Sequence, residues 1–283
     1  MKTSTVIGQI AFALALASCA TPQGQAPTAL SVPSSSISLA AADGRDVPIT
    51  IVPASEARGV ILLSHGGGND PAGMLPVMQQ LAANGFTVIA PMHTDSRSMS
   101  ADRRTDLQGA FPTRIADLQA AAGFAAQQYP DLPLGLFGYS YGSLIALVGG
   151  GAFAGMMPGK IPAAKAVVMF SSPGPVEGLT TQSNAFAAVD VPTLLVTGTA
   201  DTVPGFVPDP AMHLMYFDRL PTGDHTLLLV ENGTHGFQRG ERGIDIVAPL
   251  ALDFLKSRVL GDAEARARFD TAQSGPIVEV RRR

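Results

Sequence analysis

The chain has 283 residues and a mass of 29.2 kDa, enough for one large domain or two small ones. With 46% hydrophobic and 15% charged residues it is not a disordered chain, and 30 glycines and 22 prolines without a repeating period exclude collagen. A formal charge of −4 with no basic block argues against nucleic-acid binding, and the single cysteine excludes an internal disulfide framework and a cysteine-based zinc site.

Residues 1–18 (MKTSTVIGQIAFALALAS) read as a signal peptide, with Lys2, an apolar stretch and then small residues. The stretch 6–17 is shorter than the roughly 20 apolar residues of a membrane-spanning helix. The tetrapeptide Leu16-Ala17-Ser18-Cys19 resembles the lipobox of bacterial lipoproteins. That resemblance implies cleavage before Cys19 and a lipid anchor on its thiol, which would tie the protein to a membrane. The alternative is an ordinary soluble periplasmic or secreted protein in which Cys19 is incidental. Ala20 stands where an aspartate would resemble an inner-membrane retention signal, so the expected address is the cell envelope, on an outer membrane where one exists. Residues 19–38 carry no charge and are rich in Pro, Ser, Thr and Gln, the composition of a flexible tether. The folded domain is expected over 39–283.

From there short apolar runs alternate with helical stretches, the pattern of an α/β fold with a mostly parallel central sheet flanked by helices. Strands are expected at 46–52, 59–64, 86–90, 134–138, 166–170, 193–198 and 226–231. Helices are expected at 75–84, 113–128, 140–149 and 244–259, the first from Leu75, Met78, Gln79 and Ala82 at i, i+3, i+4, i+7. About twenty residues separate the strands at 166–170 and 193–198, too few for an independent cap. The excursion 203–222 has room for one helix, at 212–220.

Gly138-Tyr139-Ser140-Tyr141-Gly142 follows a buried strand and opens a helix, the context of a G-x-S-x-G nucleophile elbow. A sharp strand-to-helix turn leaves no room for Cβ atoms two positions either side of the serine. Its bland alternative is a serine that merely caps the helix. Gly66-Gly67-Gly68 follows the strand at 59–64 and lets backbone approach a substrate oxygen. An oxyanion hole takes one N–H from the residue after the nucleophile, Tyr141, and a second from such an earlier loop. No G-x-x-x-x-G-K-[ST] phosphate loop is present.

A serine needs a base, and the base an orienting acid. Of His65, His93, His213, His225 and His235, only the last sits in a loop just past the final strand. Asp201 follows the strand TLLVTG; Glu231 and Asp224 are the fallback acids. Tyr139 and Tyr141 flank the serine and are candidates to line the acyl pocket; Tyr139 equally fits packing under the elbow. His93 and Asp95 read as structural, and Arg114 and Asp117, at i and i+3, as a surface ion pair. Met156, Met157, Met212 and Met215 form either an adaptable apolar rim or core.

The order Ser140, Asp201, His235, each after its own strand, resembles the α/β-hydrolase superfamily. The finer resemblance is to bacterial dienelactone hydrolase-like and platelet-activating-factor-acetylhydrolase-like serine esterases. It is carried by VILLSHGGG, LAANGFTVIAPMHTDS, RIADLQAA, LGLFGYSYGS, LLVTGTAD and LPTGDHTLLLVENGTHGF, and covers residues 45–260. The resemblance implies an α/β-hydrolase fold without a large cap, no metal, no organic cofactor, and Gly67 as the second oxyanion donor. True dienelactone hydrolases use a cysteine nucleophile, and Cys19 lies far from any elbow, which argues against specific dienelactone hydrolysis. The expected activity is hydrolysis of small-molecule carboxylic esters through an acyl-enzyme. Two other readings remain open: an amidase or peptidase with the same triad, and a binding lipoprotein with an inert site. A metal-dependent hydrolase lacks its H-E-x-x-H or clustered ligand spacing.

Overall fold

The computed structural model describes residues 34–236 and 243–283. The expected signal peptide, Cys19 and the tether as far as residue 33 lie outside the described residues. Among the described residues no helix is long and apolar enough to cross a membrane.

The sheet grows outward from β3 (Gly59–Ser64), a run of six buried residues with β-branched and leucine side chains on both faces. Such a strand has no polar face to turn to water, so both faces must be covered by helices. It pairs in parallel with β4 (Phe86–Pro91) on one side and with β5 (Leu134–Tyr139) on the other. The parallel series continues through β6 (Ala164–Phe170), β7 (Thr193–Gly198) and β8 (His225–Val230). Antiparallel strands finish both edges: β2 (Asp46–Val52) and β1 (Ser35–Ala40) beyond β4, and β9 (Val278–Arg282) beyond β8. The described strands thus form one sheet in the order β1-β2-β4-β3-β5-β6-β7-β8-β9. The first and last lie at opposite edges.

Alternation along the strands divides the core in two. Leu62, Leu136, Val167 and Leu195 face α2 (Leu107–Gln128) and α3 (Tyr141–Gly149), joined by Phe153, Phe186 and Tyr216. Ile61, Leu63, Phe137, Val168 and Val196 face α1 (Leu75–Ala82), α5 (Ile244–Val259) and α6 (Ala263–Asp270), where Phe254 meets Phe269. Each such side chain contributes about 1.5–3 kcal/mol by leaving water.

Several boundaries differ from the sequence expectation. Residues 35–38, read as tether, lie in β1, where Ile37 and Leu39 pack on the core. Helix α2 begins at Leu107 rather than 113. Asp106 caps it by accepting from the Gly109 N–H at 2.7 Å, and Pro112 is its sixth residue, in the second turn, where the helix forgoes the hydrogen bond to the Gln108 carbonyl. The excursion before β8 holds a 3-10 turn (Pro210–His213) and the short α4 (Leu214–Arg219) in place of one helix.

Candidate active site

Ser140 stands between the last residue of β5 and the first of α3 with φ 52° and ψ −121°, a left-handed backbone that a residue with a Cβ adopts only under strain. The flanking glycines make the turn possible. A Cβ on Gly142 would lie 1.9 Å from the Ser64 carbonyl oxygen, and one on Gly138 would lie 2.2 Å from that of Gly142. The Ser140 N–H is tied to the Phe170 carbonyl of β6 at 2.8 Å, so the strained residue is held from the neighbouring strand. Its side chain sits at the N-terminus of α3, where the helix dipole favours developing negative charge.

The Ser140 Oγ lies 2.9 Å from His235 Nε2, and His235 Nδ1 lies 2.7 Å from Asp201 Oδ1. These three residues come from the loops after β5, β8 and β7, all past the carboxyl ends of parallel strands, where open α/β sheets form their sites. The loops are stitched together: the Ala200 N–H donates to the Gly233 carbonyl at 3.0 Å and the Asn232 N–H to Thr199 Oγ1 at 2.8 Å. The Tyr139 hydroxyl donates to the His235 carbonyl. Asp201 is fully buried, and its second oxygen accepts from the Thr197 hydroxyl at 2.8 Å. Burial pulls its pKa upward, but hydrogen bonds from His213 and His235 outweigh this and hold the carboxyl well below the ordinary carboxylate range.

His213, which sequence reasoning left in the excursion, is the residue behind Asp201. Its Nε2 lies 2.9 Å from the Asp201 carbonyl and 3.1 Å from Oδ1, while Nδ1 lies 3.0 Å from Ser172 Oγ. Asp201, His213 and His235 are also the one trio of possible metal ligands brought together among the described residues. Their nitrogen-to-oxygen distances of 2.7 and 3.1 Å are those of hydrogen bonds. The fallback acids lie elsewhere. Asp224 precedes β8, at the opposite end of the strand from His235, and pairs with Arg258; Glu231 is exposed.

Gly66, Gly67, Ser140, Tyr141 and His235 open onto a cavity of about 950 Å³. Its walls are largely apolar: Leu107, Phe111 and Pro112 from the start of α2, Val176 and Leu179 after β6, and Val203, Phe206 and Val207 after β7. Phe206 is 64% exposed at this wall. Arg97 and Glu177 are the charged residues lining the cavity. Tyr139 and Tyr141 both line it, whereas Met156, Met157, Met212 and Met215 do not; Met157 and Met215 pack against the core instead.

Arg114 and Asp117 are not a surface pair. Both are fully buried and neither bonds the other. Arg114 forms a two-pronged ion pair with Asp95, at 2.8 Å from Nε and 2.8 Å from Nη2. Asp117 takes Arg45 at 2.8 Å and His93 Nδ1 at 2.9 Å. The signal for this was in the helix period, since Ala110, Arg114, Asp117, Ala121 and Ala125 form one buried stripe at 3.6-residue spacing.

Comparison with known proteins adds the fold's affiliation. A family model described as serine aminopeptidase, S33, matches residues 55–171, less than half of the chain. No curated protein matches. Among solved structures, a cold-adapted esterase from an Arctic intertidal metagenomic library superposes with a TM-score of 0.61 at 20% identity, over 83% of this chain and 98% of that one. A dienelactone hydrolase from Anabaena variabilis superposes with a TM-score of 0.59 at 21% identity, over 80% of this chain and 98% of that one. The fold is that of the α/β hydrolases. In the α/β-hydrolase fold of this chain, the matched region carries β3 to β6 with the glycine loop and the elbow, and ends before Asp201 and His235.

Proposed function

We propose that this chain is a serine hydrolase that cleaves small carboxylic esters through an acyl-enzyme, with Ser140 as nucleophile, His235 as base and Asp201 as orienting acid. The observation that carries the reading is the continuous hydrogen-bonded line from a strained serine through His235 to a buried, ionised carboxylate, at 2.9 and 2.7 Å. Asp201 keeps the His235 proton on Nδ1, which leaves Nε2 to accept from Ser140. As Ser140 Oγ bonds to the ester carbon, its proton passes to His235 and the carbonyl electron pair moves onto oxygen. The N–H groups of Gly67 and Tyr141 receive that oxyanion, worth about 2.7–4 kcal/mol per donor. Collapse expels the alcohol, protonated by His235, and water repeats the sequence on the acyl-enzyme.

The apolar cavity walls support an uncharged acyl or alcohol group of modest size, and the esterase among the structural neighbours supports ester over amide. The same atoms can cleave an amide, and the aminopeptidase family model favours that second reading. The test is hydrolysis of p-nitrophenyl esters beside aminoacyl p-nitroanilides, with a fluorophosphonate label, by wild type and Ser140→Ala. The expected result is ester turnover and labelling in wild type, both lost in the variant. Turnover of the anilides alone would move the reading to a peptidase; neither activity nor label in folded protein would overturn it in favour of a binding module.

The lipobox-like Leu16-Ala17-Ser18-Cys19 supports attachment of this activity to the cell envelope through a lipid on Cys19. Metabolic incorporation of a labelled fatty acid into the expressed full chain, lost in Cys19→Ser, is the expected outcome.

A further inference from the structure

Resting on the serine-hydrolase reading, we propose that Arg114 is a positioning residue that, with Asp95, aims the Gly67 backbone donor of the oxyanion pocket and braces the Tyr141 ring beside it. Arg114 is the largest fully buried side chain among the described residues. A buried ion pair is poor value as a stabiliser, since apolar residues of similar volume commonly do as well or better. What this pair touches is therefore informative. Arg114 Nη1 donates to the His65 carbonyl at 2.7 Å and Nη2 to the Gly66 carbonyl at 3.1 Å. Asp95 Oδ2, besides holding Nη2, accepts from the Gly68 N–H at 2.8 Å. The guanidinium lies 4.6 Å from the centre of the Tyr141 ring. One side chain thus reaches the glycine loop and the residue after the nucleophile.

The consequence follows from the planarity of the peptide bond. In a trans peptide the C=O of one residue and the N–H of the next point in opposite directions. The Gly66 carbonyl is turned to the interior, where it also accepts from His65 Nδ1 at 2.8 Å and the Asn69 N–H at 3.1 Å. The Gly67 N–H is thereby turned the other way, toward the cavity that Gly67, Ser140 and Tyr141 line. Glycines give this loop no side chains to fix its orientation. The fork of Arg114 supplies that orientation, and a lysine, with one ammonium, cannot hold two carbonyls and a carboxylate in one plane.

The experiment compares wild type, Arg114→Lys, Asp95→Asn and Ser140→Ala. For each it records kcat and KM on a p-nitrophenyl ester, the Ki of a trifluoromethyl ketone of matched chain length, and the thermal midpoint. Ser140 adds to that ketone, its proton going to His235 and the carbonyl electrons to an oxyanion, so the Ki reads the pocket without turnover. The expected result for Arg114→Lys is a kcat lower by about ten- to a hundredfold, with KM within about threefold. The ketone Ki should rise by the factor that kcat/KM falls, as for a transition-state mimic. Asp95→Asn should move the same quantities in the same direction, and carries the test if the lysine variant does not fold. Wild-type turnover that is lost in Ser140→Ala but kept within twofold, with an unchanged ketone Ki, in the folded Arg114→Lys or Asp95→Asn variant would overturn this proposal alone. A loss confined to KM would overturn it too. Absence of wild-type turnover and ketone binding would overturn the hydrolase reading itself.

Discussion

At the scale of single residues, the site depends on atoms that are missing as much as on those present. The Ser64 carbonyl occupies the space where a residue other than glycine at position 142 would carry its Cβ. Gly142→Ala is therefore expected to destabilise the fold by at least about 3 kcal/mol, the upper range for overpacking, because the obstacle is backbone that cannot rotate away. Chemical denaturation of that variant beside Gly123→Ala, where a Cβ meets nothing within 4 Å and the residue is helical, gives the contrast. Gly123→Ala should gain about 0.5–1 kcal/mol. At Asp201 the expectation is kinetic. Asp201→Asn should lower kcat by about 10⁴ with little change in KM, since an amide cannot hold the His235 tautomer; steady-state kinetics on the ester decide it. The serine and its two glycines were legible as a local pattern, and the strand order of the three loops pointed to Asp201 and His235. The roles of His213 and of Ser172 behind it were not legible, because His213 reaches Asp201 through a chain reversal and Ser172 comes from the loop after β6, so neither leaves a fixed spacing; Thr197 bonds Asp201 from four residues earlier.

At the scale of elements, the parallel strands were readable as apolar runs, whereas the edges were not. Strand β9 (VEVRR) carries one buried residue, Val278, and β1 carries none, so neither shows the hydrophobic density of an interior strand. Helix α6 has almost no apolar face to read, packing by little more than Ala265 and Phe269. Helix α2 starts six residues before the expected 113 and runs through Pro112 in its second turn, a residue type that ordinarily breaks a helix interior. The edge strand nonetheless has work to do. Ending the chain before β9, at residue 275, would leave β8 with a bare hydrogen-bonding edge of Leu227, Leu228 and Leu229. Such an edge recruits other strands. A truncated protein should melt several degrees lower and form larger species, as size-exclusion chromatography would show.

At the scale of the whole molecule, the buried charges govern how the fold responds to acid. Burial tends to raise the Asp95 pKa, but hydrogen bonds and charge from Arg114 outweigh it and bring it to about 2, below the ordinary 3.8. A depressed carboxyl stabilises the fold fully above its unfolded value and loses that contribution as pH falls through the folded one. The contribution of Asp95, on the order of 2 kcal/mol, should therefore disappear between about pH 4 and pH 2. Asp201 moves in the same direction. Urea unfolding followed from pH 6 to pH 2 should show the loss, and a smaller one in Asp95→Asn.

The sheet also has a length. From β1 at one edge to β9 at the other are eight strand spacings, about 38 Å at 4.7–4.9 Å each. Dyes attached at residues 36 and 280, in a Cys19→Ser background, would turn the sheet into a ruler. Energy transfer between them would report fraying of either edge before the fluorescence of any core residue changed.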